Sequence, residues 1–277
     1  MKKLLAVLLS IVMIIGATLS FTSCGETDNS GDWAEIKERG YFVCGITVYA
    51  PMNYFNEDGD LVGFDTEFAE AVADYLGVEA KFQVIKWGSK YLELNSGSID
   101  LIWNGFTYGA EDGVPRTNYV DFTHAYLKNQ QCVVIRSEDA ATLNAKAAFA
   151  GREAAVEGGS AGESVAKGLA GNEDKLAKFD SQAAALTELS AGQVDFAVID
   201  LQMAKAMVGT GDYAGLTICT ASDIVIEPEV YAIGARKGSD FTAKVNEAIE
   251  ALYEDGVLQE IAKKYGLEYD LVEDLGK

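Results

Sequence analysis

The feature that most constrains this chain is a short element written twice. Residues 94–102 (LNSGSIDLI) recur loosely as residues 189–197 (LSAGQVDFA). Each copy reads as the end of a helix, a stop at Gly97 or Gly192, and a buried strand after Asp100 or Asp195. Glycine at these points can take the left-handed conformation that terminates a helix. An apolar run flanked by polar residues suits a parallel strand covered on both faces. Polar groups follow each strand directly, Asn104-Gly105-Phe106-Thr107 in one copy and Asp200 in the other. Open α/β sheets bind ligands beyond the carboxyl ends of their strands. Two such sheets facing each other would enclose a cleft with a polar edge on either wall.

The surroundings of the two copies extend the repeat. Strands are expected over 41–48, 80–85 and 99–103, alternating with helices over 65–76 and 89–96. A second set follows, with strands over 153–156, 176–179 and 194–199 and helices over 162–169 and 182–190. Both are βαβαβ patterns with parallel strands. Phe64, Phe68, Ala71, Val72 and Tyr75 fall on one helical face. Asp32 is placed to cap a short helix, with Glu35 at the capping-box position. The extended apolar segments 130–136 and 224–234 read as two crossings between lobes, and helices over 240–253 and 257–265 pack back on the first. The expected division is 32–129 and 228–277 in the first lobe and 130–227 in the second. Two crossings make a hinge, and closure about a hinge is a known way of enclosing a ligand.

The first residues do not belong to this fold. Lys2-Lys3, an apolar run from Leu4 to Ile15, and small residues before Cys24 have the pattern of an export signal over 1–23. The residues before Cys24 resemble a bacterial lipobox, which makes Cys24 the lipidated first residue of the mature chain. A plain signal peptide or an uncleaved anchor is the other reading. Residues 24–31, polar and small, read as a tether. The net charge of −21, from 43 acidic and 22 basic residues, argues against nucleic acid as a partner. Besides Cys24 there remain Cys44, Cys132 and Cys219, all in apolar runs, which suits buried free thiols. With one histidine and no CxxC pair, no metal site is expected.

Several residues carry candidate chemistry. Arg116 lies past a strand end, where a guanidinium can present a fork to a carboxylate or merely face solvent. Gly158-Gly159-Ser160-Ala161-Gly162 stands between a strand and a helix, a position suited to an anion, or to a simple cap by Ser160. Asp200 ends a buried strand, where it would pair with a ligand ammonium or cap the following helix. Tyr49, Tyr54 and Trp103 would either sandwich a side chain or pack in the core. His124 is read as structural.

Together these stretches resemble the family 3 extracellular solute-binding proteins, the amino-acid-binding components of ABC importers. The similarity rests on residues 49–55 (YAPMNYF), 63–69 (GFDTEFA), 95–100 (NSGSID), 104–107 (NGFT), Arg116 with 120–126 (VDFTHAY), 156–162 (VEGGSAG) and 194–200 (VDFAVID). It implies a two-lobed, type II periplasmic-binding-protein-like α/β fold. It also implies that Arg116, with Ser160 and Ala161, holds an α-carboxylate. Asp200, the Gly105 carbonyl and Thr107 would hold the α-ammonium, in a site shared with Asn104 and Trp103. Tyr49 and Tyr54 would flank the side chain. The segment 108–115 is longer than the family's usual run before the arginine. Thr47 stands near where some members carry an acid that reads a basic side chain, which disfavours a strongly basic ligand. The expected partners are an amino acid, an ABC permease and, through the lipid alone, the membrane; the expected state is a monomer without cofactor. A dehydratase-like enzyme or a ligand-sensing module on the same fold are the alternatives.

Overall fold

The computed structural model describes residues 31–111 and 113–275. The expected export signal, Cys24 and the tether up to residue 30 lie outside the described residues. The chain begins with helix α1 (Asp32–Arg39) and strand β1 (Tyr41–Ile46). A small hairpin of β2 (Tyr54–Phe55) and β3 (Leu61–Val62) leads to α2 (Phe64–Leu76), β4 (Glu79–Val84), α3 (Lys90–Ser96) and β5 (Leu101–Ile102). A second hairpin, β6 (Ala110–Glu111) and β7 (Val114–Pro115), precedes β8 (Val120–Phe122). Then β9 (Leu127–Arg136) crosses to the second lobe, formed by β10 (Ala154–Glu157), α4 (Ala161–Ala170), β11 (Leu176–Phe179), α5 (Gln182–Ser190), β12 (Phe196–Asp200), α6 (Leu201–Met207) and β13 (Leu216–Ile218). The return runs through β14 (Pro228–Tyr231) and β15 (Gly234–Arg236) to α7 (Phe241–Glu254) and α8 (Val257–Lys264).

The first sheet has the order β4-β1-β5-β15-β8, and the second β11-β10-β12-β9-β13, with β14 paired to β9. In each, three adjacent strands pair in parallel, the crossing strand β15 or β9 runs antiparallel to them, and β8 or β13 pairs antiparallel with that strand. The duplicated element occupies equivalent places. Gly97 and Gly192 both have left-handed backbones, at φ 78° and 73°. The two aspartates do the same job. Asp100 N–H donates to the Val43 carbonyl (2.8 Å) while its carboxylate accepts from Val43 N–H (2.8 Å). Asp195 N–H donates to the Glu153 carbonyl (2.9 Å) while its carboxylate accepts from Glu153 N–H (3.0 Å). Each aspartate therefore closes a ring that fixes the register where its strand enters the sheet. Arginines neutralise both, Arg39 and Arg236 at Asp100 and Arg152 at Asp195.

Apolar side chains cover both faces of both sheets. One core runs through the two lobes and the crossings, from Phe42, Phe68 and Trp103 through Tyr126 and Leu127 to Cys132, Leu186 and Ile199. The opposite faces carry smaller cores, around Phe149 and Phe196 in the second lobe and around Ile99 and Phe106 in the first. The buried face of α2 is formed by Phe64, Phe68, Ala69, Val72 and Ala73, and Tyr75 is 46% exposed. The two Phe residues and Val72, four apart, set the stripe, and it turns toward Ala69 and Ala73 rather than toward Ala71 and Tyr75. Asp32 does not cap α1. Gly31 holds the cap position, Trp33 N–H donates to Asp240 (3.0 Å), and Asp32 pairs with Arg236 (3.0 Å). A carboxylate beside a guanidinium gains more there than at a helix end.

Cys44, Cys132 and Cys219 are free thiols, and burial raises the pKa of the first two. No described helix is long and apolar enough to cross a membrane.

Candidate functional site

The carboxyl ends of the parallel strands in both lobes face a small cavity. Trp87, Asn104, Gly105, Thr107 and Arg116 line it from the first lobe, and Glu157, Ser160, Ala161, Gln182 and Asp200 from the second. A larger open depression shares Thr107 and Ala161 with it and is walled by α4 and the mainly apolar segment 224–230. Arg116, Glu157 and Asp200 line the small cavity, whereas Glu229 lines the depression beside it.

Arg116 is delivered by the second hairpin. The additional residues of segment 108–115 fold into β6 and β7, and Arg116 N–H donates to the Gly109 carbonyl (2.8 Å). The detour therefore returns the chain to where it left. The arginine is 1% exposed, with its guanidinium over the Phe106 ring at 4.9 Å. It donates to the Thr107 carbonyl (2.9 Å) and, across the cleft, to the Gly159 carbonyl (3.3 Å). Lys90, at the start of α3, is fully buried and donates to the same Gly159 carbonyl (2.9 Å). Two cations of one lobe thus meet one carbonyl of the other.

That carbonyl belongs to the glycine loop before α4. Ser160 accepts from Glu163 N–H (3.2 Å), and Glu163 in turn accepts from Gly159 N–H (2.7 Å), a variant of the capping box in which the residue before the cap donates. Lys178 pairs with Glu163 at 2.6 Å. Ser160 therefore caps the helix and still lines the cavity. A side chain at Gly162 would meet the Val198 carbonyl at 2.8 Å, so glycine lets the start of α4 lie against β12. The positive end of the helix is thereby brought to the cavity wall.

Asp200 holds the cap position of α6, but its side chain makes no capping bond. Its carboxylate accepts instead from Gln131 (2.6 Å), Asn129 and Gln182. Glu229, on β14, accepts from Asn129 (2.5 Å), Gln131 (2.7 Å) and Thr107 (3.0 Å). Two carboxylates therefore share the same amide donors. Burial first, and then the charge of Glu229, raise Asp200 to about 7. Glu157 is 2% exposed, and burial and then the charge of Asp200 push it up to about 8. Acid groups kept this far from water favour a cationic partner.

Of the residues singled out in the sequence, the structure gathers Asn104, Gly105, Thr107, Arg116, Ser160, Ala161 and Asp200 around one cavity. Tyr49, Tyr54 and Trp103 do not line it. Tyr49 is buried with its hydroxyl 2.6 Å from that of Tyr231. Tyr54 lies half-buried in β2, and Trp103 packs edge-on against Phe68. His124 pairs with Glu250 at 2.9 Å, away from the cavity. The sequence reading did not find Trp87, Lys90, Asn129, Gln131, Gln182 and Glu229. A signal existed for three of them. Asn129 and Gln131 are polar residues two apart at the head of an apolar strand, hence on one face. Glu229 is an acid within an apolar crossing.

A cavity between two lobes on a double crossing, with cations on one wall and acids on the other, is the architecture of a protein that closes on a small solute. The chain belongs to the bacterial extracellular solute-binding proteins, family 3, whose model matches residues 42–268. It is 28% identical to the L-cystine-binding protein TcyA of Bacillus subtilis, over 96% of this chain and 97% of that one. A substrate-binding protein of an ABC uptake transporter from Streptococcus pneumoniae, solved with bound histidine, is 28% identical with a TM-score of 0.73, over 85% of this chain and 96% of that one. An ancestral arginine-binding protein bound to arginine is 31% identical with a TM-score of 0.72, over 82% and 98%.

Proposed function

We infer that this protein captures an amino acid between its lobes outside the cytoplasm and presents it to the permease of an ABC importer, tethered by lipid at Cys24. The observation that carries the reading is the opposition of Arg116 to Asp200 across one small cavity, with Glu229 behind Asp200 on shared amide donors. A zwitterion fits that division of charge. Its carboxylate would lie between Arg116 and the start of α4, where a guanidinium and a helix dipole both favour an anion. Its ammonium would lie at Asp200, Thr107 and the Gly105 carbonyl. The ligand touches both lobes only when they are closed, so binding shifts the equilibrium toward closure. The relatives named for cystine, histidine and arginine support the amino-acid class.

Calorimetry and a thermal-shift screen against the common amino acids test this reading. Arg116→Ala and Asp200→Ala each weaken binding by about 2–5 kcal/mol, the usual cost of stranding one partner of a buried charge pair. Unchanged affinity in both variants would reject the site. Turnover of a bound compound would replace the reading by an enzymatic one. Labelled palmitate on the wild type but not on Cys24→Ser tests the anchor.

A further inference from the structure

Both amide N–H groups of Asn104 are already taken, so it has no donor left for a ligand side chain. Its amide donates to the Thr47 carbonyl (2.9 Å) and Asn53 (2.7 Å), and its oxygen accepts from Thr47 (2.8 Å). Gln182 is likewise engaged at both ends by Asp200. Glu157 differs. It projects into the cavity from the last residue of β10, it is almost wholly buried, and its Oε1 accepts no hydrogen bond. Lys90 and Thr47 offset part of the cost of burying this carboxyl, but the unpaired Oε1 still costs stability. Trp87 lines the same cavity from the opposite lobe. Beyond the groups assigned to the zwitterion, the cavity therefore offers one aromatic wall and one unsatisfied acid.

Resting on the amino-acid reading above, we propose that Glu157 selects the ligand by its side chain, accepting a hydrogen bond from a terminal N–H group. The ligand class is an amino acid whose side chain ends in a planar nitrogen donor, an amide, an imidazole or a guanidinium. Such a group fills both needs at once. Its N–H satisfies Oε1, and its flat face lies against the indole. A side chain ending in a methyl group leaves the acceptor stranded, and one ending in a carboxylate sets two acids together beside Asp200. Sites built around a buried polar group reject analogues that cannot pair with it far more strongly than apolar pockets reject a misfit. Thr47, which from sequence bore on ligand charge, donates to Asn104 (2.8 Å) and lies beside Glu157, where it favours the ionised carboxyl. The acid of this pocket comes instead from the other lobe.

The test measures affinities of the mature protein and of Glu157→Met for glutamine, histidine, arginine, glutamate, methionine and serine. The wild type binds at least one of the three nitrogen donors more tightly than methionine by about tenfold or more, the scale of one buried charge-assisted hydrogen bond. In Glu157→Met that preference disappears, while serine still binds. Glu157→Gln keeps an acceptor oxygen and keeps the rank order, which guards against a misfolded Met variant. Which donor binds best separates the amide, imidazole and guanidinium arms. A wild type that binds methionine as well as all three donors, or a Met variant with an unchanged rank order, overturns the inference alone. Absence of binding by every amino acid overturns the amino-acid reading and this inference with it.

Discussion

Asp200 shows how one residue can oppose stability and serve binding together. Its carboxyl is buried, shares donors with Glu229 and titrates near 7 instead of in the ordinary acid range. An acid raised from 3.8 to about 7 stays protonated in the folded state while the unfolded chain ionises. The folded protein therefore holds the extra proton across that window, and stability falls as pH rises through it. Glu157 acts in the same direction between 4.5 and about 8. Ligand-free Asp200→Asn should accordingly melt higher than the wild type at pH 8, and its melting point should depend less on pH. The same substitution should weaken amino-acid binding, because an amide cannot neutralise an ammonium. Ionised Asp200 is the form that binds, so wild-type affinity should fall about tenfold per pH unit below 7. Binding at pH 6 should then release a proton, visible as a calorimetric heat that varies with the ionisation enthalpy of the buffer. A variant that loses stability and affinity in parallel would show that Asp200 is merely structural.

At the scale of the element, the decisive contact is the one that lays α4 on β12. Gly162→Ala puts a carbon 2.8 Å from the Val198 carbonyl and 2.9 Å from the Gln131 oxygen. The start of the helix must then move outward, carrying Ser160 and Ala161 away from Asp200. The expected loss is about 1–3 kcal/mol of stability, as for other overpacked contacts, with a further loss of affinity. Gly168 lies in the same helix with open space around it, and Gly168→Ala should stabilise by about 0.4–1 kcal/mol without touching affinity. Chemical denaturation and calorimetry on the two variants separate helix propensity from helix placement. Much at this scale was legible in the sequence. The duplicated segment around Asp100 and Asp195 announced two equivalent lobes, because local periodicity and a glycine stop are written in neighbouring residues. The strand-end positions of Asn104, Thr107, Arg116 and Asp200 followed from it. Glu229 and Asn129 were not legible as partners, since they lie 100 residues apart and meet only through strand pairing. Tyr49 and Trp103 stand beside the expected ligand residues in sequence. Their side chains turn into the core, and alternation along so short a strand does not settle which face is inward.

For the molecule as a whole, the question is which contacts hold the lobes together. Among the described residues, Lys86, Lys90 and Arg116 of the first lobe reach the second. Lys86 pairs with Asp180 at 2.8 Å, with both side chains about two-thirds exposed, 69% and 67%. Lys90 and Arg116 meet the Gly159 carbonyl in full burial. Water and salt screen the first pair, whereas the buried contacts form in a medium that screens weakly. The crossings add to the inner set. Glu229 stands on the return strand and accepts from Thr107 of the first lobe, and it shares Asn129 and Gln131 with Asp200 of the second. A charge placed at Asp200 therefore acts on both lobes and on the strand between them. Closure should be governed from the cavity and not from the rim. Lys86→Ala should leave amino-acid affinity unchanged within error, and raising sodium chloride should hardly alter wild-type affinity. Lys90→Met should weaken affinity by about 1–3 kcal/mol, the range for a hydrogen bond to a charged group. Small-angle scattering at saturating ligand should still give the closed dimensions for both variants. The ligand-free Lys90→Met protein should be the more open of the two, because it has lost a contact that exists only when the lobes meet. Equal weakening by the two substitutions, with the same dependence on salt, would move the control of closure to the rim.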